Sequence, residues 1–211
     1  MDKESDISLS YYIINSLKFN IMPNWCYTNI VLNGAKENID LFENKLKELE
    51  SSEKPAIPNG FGNMWLGLIV DMLGEDWHNV RCRGYICDFM RLDDKSIQVN
   101  IEHAWTYPDE LMKLFMERFP DIELYYYAEE PGMEIYVSND MDNLYFLNYV
   151  LDSQKDGIEY FENLSDVANA IGEIIGVTPE PDIDSINEAI KKYQENHDDF
   201  ILFHEIEYEA L

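Results

Sequence analysis

A chain of 211 residues with 46% hydrophobic side chains has the length and apolar content for a packed core, in one large domain or two small ones. Forty-two acids against fifteen bases leave a net charge of −27, which disfavours phosphate-backbone binding and points to a basic partner, or to solubility alone. Fourteen tyrosines separate this acidity from disorder. Three cysteines (Cys26, Cys82, Cys87) and no signal-peptide pattern suggest free thiols in a reducing cytoplasm. No apolar run approaches the roughly 18 residues of a membrane span.

Residues 1–21 hold a small apolar set, Tyr11 to Phe19, and read either as a genuine N-terminal arm or as sequence ahead of an alternative start at Met22. Pro23 to Gly34 reads as a first strand. Proline is tolerated at its opening, aromatic and β-branched residues fill it, and glycine turns it. Over 35–50, Ile39, Phe42, Leu46 and Leu49 recur at helical spacing. Pro55 to Gly60 marks a loop, and 63–74 reads as a short helix stopped by Gly74.

The stretch from Val80 to Leu92 alternates loosely and Ser96 to His103 more clearly, with Asp93-Asp94-Lys95 as the hairpin turn. Thr106 is placed to cap a helix with Pro108 in its first turn, Leu111, Leu114, Phe115 and Phe119 on its buried face, and Pro120 ending it. Strands over 122–129 and 133–137 follow, turned at Pro131-Gly132. The path is β-α-β-β-α-β with one extra short helix. It predicts an α+β fold: a split β-α-β antiparallel sheet with helices on one face.

The motifs Pro23-Asn24-Trp25-Cys26, Ala104-Trp105 with Pro108, and Phe119-Pro120 followed by Glu129-Glu130-Pro131-Gly132 come in an order that resembles the YubB-type, ferredoxin-like proteins of plasmids, phages and integrated elements. The resemblance covers about 22–140. It implies a ferredoxin-like core and a mobile-element setting, and no established activity. The 75–84 segment departs from it, since many relatives carry a Gly-Thr-Lys-Trp-type segment there.

Residues 141–211 read as a small acidic αβ appendage. Ile158 to Phe161 is a strand, Asn163 or Ser165 caps a helix closed by Gly176, and Asp182 or Asp184 caps a second helix. Phe200 to Tyr208 is then a returning strand. This region holds seventeen acids and three lysines (Lys155, Lys191, Lys192).

Chemistry-bearing patterns are sparse. His78, Cys82, Cys87, Cys26 and His103 lack the matched pairs of a zinc site and read as buried thiols and core groups. The acid pairs Asp93/Asp94 and Asp198/Asp199 read as solvated turns. In Glu129/Glu130 only one side chain of an alternating strand turns inward, as a structural carboxylate beside Trp25 or Trp105. No nucleophile elbow or phosphate loop occurs, so no cofactor is expected. Tyr125-Tyr126-Tyr127 would suit base stacking, but the basic surround for RNA is missing, so direct nucleic-acid binding is not expected.

The acidity itself remains. Carboxylates on a rigid surface can replace phosphates in the basic groove of a nuclease. The expected partner surface is Glu129 and Glu130 with Asp182, Asp184, Glu188, Glu195, Asp198, Asp199, Glu205 and Glu207. The expected function is anti-defence inhibition, with a metal-dependent nuclease or an element-maintenance interaction module as alternatives.

Overall fold

The computed structural model describes residues 23–211 and is mixed α+β, built on two sheets. Residues 1–21 and Met22, where an N-terminal arm or an alternative start is expected, lie outside the described residues. The first sheet collects β1 (Trp25–Asn33), β2 (Gly84–Arg91), β3 (Ser96–Ala104), β4 (Glu123–Glu130), β5 (Ile135–Ser138) and a last short strand, β9 (Glu207–Tyr208), in the order β2-β3-β1-β4-β5-β9. β1 lies between β3 and β4, antiparallel to both. Helices α1 (Lys36–Glu50) and α3 (Asp109–Arg118) make the long connections, and the short α2 (Leu66–Met72) adds to the same layer.

One face of this sheet carries the main core. Cys26, Thr28, Ile30 and Leu32 alternate inward along β1, and Ile97, Val99 and Ile101 do so along β3. They meet Ile39, Phe42 and Leu46 of α1 and Leu111, Met112 and Phe115 of α3. Burying each such side chain contributes about 1.5–3 kcal/mol, so this stripe is what places the helices. Glu37 in the first turn of α1 and Lys47 in its last complement the helix dipole, with no side-chain cap.

The second sheet is separate: β6 (Tyr149–Ser153) lies between β7 (Gly157–Phe161) and β8 (Ile201–Glu205). Helices α4 (Leu164–Ile175) and α5 (Ile183–Gln194) cover one side of it through Val167, Ile171, Ile186 and Ile190. Its other side stacks on the first sheet. The Tyr136 and His204 rings lie 4.1 Å apart, and Tyr127 meets Tyr160 edge-on at 5.5 Å. The layers therefore run helix, sheet, sheet, helix.

Several expectations need correction. The first sheet is mixed rather than antiparallel, because β9 pairs in parallel with β5. The returning strand is two strands broken at Ile206, which crosses between the sheets. The helix expected over 63–74 is a 3-10 turn at Gly62–Met64 followed by α2. Thr106 caps nothing; Pro108 stands at the N-cap with no side-chain bond, and the Thr106 carbonyl faces His103 Nδ1 at 2.6 Å. Cys26 and Cys82 are buried, but Cys87 sits at a register shift in β2 and is exposed. Asn163 and Asp182 are the caps of α4 and α5, each accepting a backbone N–H through its side chain.

Candidate functional site: an aromatic cleft and an acidic face

The second sheet covers only part of the exposed side of the first. Where β1 and β3 remain open, a cleft of about 530 Å³ forms between the sheet and the 144–147 loop. The middle odd-numbered residues of β1 face it, opposite the core. Tyr27, Asn29 and Val31 line its floor with Gln98 of β3 and Tyr127 of β4. Tyr145, Phe146 and Tyr160 close over them, and Leu92, Leu144 and Leu147 form an exposed apolar rim.

The loop is held by one carboxylate. Asp140 is 6% exposed, and its side chain accepts backbone N–H bonds from Leu144, Tyr145 and Phe146 at 3.0, 2.6 and 3.0 Å. Asn33 Nδ2 donates to the Tyr145 hydroxyl at 3.1 Å, tying the loop to β1. Asn33 does not stand out in the sequence, because its partner lies 112 residues away, whereas Asp140 acts locally, on donors four to six residues ahead.

The polar side chains lining the cleft are Asn29, Gln98 and tyrosines, with the Glu129 carboxylate behind them. Asn29 Oδ1 is buried without a hydrogen-bond partner. Glu129 Oε2 accepts from the hydroxyls of Tyr127 at 2.5 Å and Tyr160 at 3.3 Å. Burial, and then the Glu129 charge, push both phenols well above the usual tyrosine range. Tyr27 is raised by burial first and then by the charges of Asp88, Glu129 and Glu102. Among the described residues no Lys or Arg lines the cleft.

The residues expected from the sequence separate into three sets. Glu129 stands behind the cleft, bonded to the Tyr127 and Tyr160 hydroxyls that line it. Glu130 is 5% exposed; its Oε1 accepts the Gly132 N–H at 3.1 Å, so it is removed from any partner surface. Asn24 Nδ2 and Glu130 Oε1 lie 3.0 and 3.1 Å from where a Cβ on Gly132 would stand, so both border this turn. Trp25 packs edge-on to Phe61 and Tyr85. Trp105 is strained at φ +75°, with its N–H donating to Asn24 O at 2.8 Å.

The third set is exposed. Asp182, Asp184, Glu188 and Glu195 lie on or beside α5, Asp198 and Asp199 follow it, and Glu205 and Glu207 flank the crossing at Ile206. Lys191 and Lys192 interrupt the helix face in its last turn. Among the described residues the only ion pair within 141–211 is Lys155–Asp156 at 3.7 Å. By contrast Arg81 bridges Asp109 and Glu110, and Arg91 bridges Asp40 and Glu43.

Among the described residues no three His, Cys, Asp or Glu side chains converge as a metal site requires, and no helix is long and apolar enough to cross a membrane. No protein-family model, curated protein or solved structure matches the chain.

Proposed function

We propose that this chain is a non-catalytic, ferredoxin-like accessory protein of a mobile element, acting in the host cytoplasm as an anti-defence inhibitor. Its exposed acids occupy the basic nucleic-acid groove of a nuclease such as a CRISPR or restriction effector. The split β-α-β order β2-β3-β1-β4, with α1 and α3 as connections, supports the ferredoxin-like assignment. The mobile-element setting rests on the Pro23-Asn24-Trp25-Cys26 type of resemblance.

One observation carries the partner reading: among the described residues, the acids of 141–211 stand almost without internal counter-charge on a unit of sheet and helix. Uncompensated carboxylates held in fixed positions attract a basic groove at long range without first giving up a salt bridge.

The test is a salt-titrated binding and inhibition assay against purified Cas9-type and restriction nucleases, with guide RNA, DNA and Mg²⁺ present. Inhibition with all nucleic acid intact, weakening toward about 1 M salt where the Debye length falls to about 3 Å, is the expected result. The triple change Asp184→Lys, Glu188→Lys and Glu195→Lys is expected to weaken it at least about tenfold, as a loss of about 1.4 kcal/mol would. Shortened RNA or DNA would instead mark the chain as a nuclease, and salt-independent binding would favour an interaction module with an apolar face.

A further inference from the structure

We propose that the cleft between β1, β3 and the 144–147 loop is a docking pocket for an arginine side chain of a basic polypeptide. The inference rests on the basic-partner reading for the sign of the charge, and on the cleft alone for the residue type.

Four features of the cleft agree on that occupant. Its volume, about 530 Å³, lies within the usual range of ligand sites and exceeds what one buried water or methyl group fills. Its walls are tyrosine and phenylalanine rings, on whose faces a flat guanidinium stacks. Asn29 lines its floor, and the Oδ1 of that side chain is a buried acceptor with no donor, which a guanidinium N–H would satisfy once the rings over it part. The Leu92, Leu144 and Leu147 rim would cover the methylene stem of the incoming side chain.

Charge decides among the competitors. Glu129 sits behind the Tyr127 and Tyr160 hydroxyls, the Glu102 carboxylate takes the Tyr85 hydroxyl at 2.6 Å, and Asp88 lies on the same face through Asn100. An anionic phosphate entering this surround would meet acids on several sides and no base, so a nucleotide or RNA strand is disfavoured. A lysine ammonium would feel the same attraction but lacks the planar fork that reaches an amide oxygen while stacking.

The experiment uses the full chain, titrated with arginine-rich and lysine-rich peptides of equal length and charge, with free arginine amide and with single-stranded RNA. The arginine peptide is expected to bind at least about tenfold more tightly than the lysine peptide. Asn29→Leu and, on the loop, Tyr145→Ala are expected to erase that preference while both variants keep the wild-type circular dichroism. The α5 charge reversals should weaken both peptides alike and leave the ratio standing. Equal binding of the two peptides, or a ratio untouched by either cleft variant, overturns the pocket while leaving the acidic-face reading intact. Failure of both peptides to bind at any salt overturns both. Binding of free arginine amide as tightly as the peptide would make this a small-molecule site, and preferential capture of RNA would reverse the charge argument; either outcome overturns the proposal as stated.

Discussion

Single residues of this chain answer to burial before charge. Cys26 is fully buried and its thiol is pushed up to about 12, chiefly by desolvation, whereas Cys87 is exposed at the irregularity of β2. A thiol reagent should therefore titrate one cysteine in the native chain and three after denaturation, and a native count of two or more would contradict the packing around β1. His103 is 3% exposed, with Nδ1 against the Thr106 carbonyl and Nε2 without a partner; burial lowers its pKa, as it does that of His204. A histidine whose folded pKa is depressed contributes stability above its unfolded value near 6.5, and that contribution fades as pH falls below it. Urea melts should then show stability declining below about pH 6.5, with a shallower decline in His103→Gln. Gly84 has a different constraint. A Cβ there would stand 2.2 Å from the Glu102 carbonyl oxygen across the β2–β3 pair, so Gly84→Ala is expected to cost about 1–3 kcal/mol in the same melts.

At the level of elements, two connections hold the sheets together. The Asp140 carboxylate gathers three backbone donors of the 144–146 turn. Replacing it with alanine leaves these donors without that acceptor, at about 1–3 kcal/mol for each one that stays buried. Asp140→Ala is expected to release the loop, seen as faster hydrogen exchange at Tyr145 and Phe146 and as loss of cleft binding. The second connection is the C-terminal strand. Ile206 N–H donates to Asn148 O at 2.8 Å, β9 adds to β5, and Glu209 meets the hydroxyls of Tyr107 and Tyr126 through its carboxylate and carbonyl. Removing 206–211 is expected to lower the stability of the first sheet by about 3 kcal/mol, counting about 1 for each of its main hydrogen bonds. An unchanged melt after truncation would show the two sheets to be independent.

Over the whole molecule, the excess of 27 negative charges acts against compactness, and under the proposed function it also attracts the basic partner. Added salt should raise the melting temperature through screening while it weakens binding to a basic partner, and the opposite signs of the two effects distinguish self-repulsion from specific contact.

Elements whose signal lies within a dozen residues were legible in the chain. The apolar stripe Ile39, Phe42, Leu46 gave α1, the alternation Ile97, Val99, Ile101 gave β3, and Asn163 with Gly176 bounded α4. Their order alone indicated an α+β sheet, because amphipathic elements in that succession have few ways to share a core. β6 escaped notice: Tyr149–Ser153 is defined by its partners at 157–161 and 201–205. The cleft was equally out of reach. Tyr27 and Asn29 lay within a stretch read simply as a first strand, and they became a floor only when residues more than a hundred positions away were laid over them. Local periodicity and capping thus determine the pieces and their inward faces. The stacking of the second sheet on the first, the mixed edge at β9 and the orphaned Asn29 oxygen belong to tertiary structure, because each depends on which outward face meets another, and pairings between distant segments leave no periodic trace along the chain.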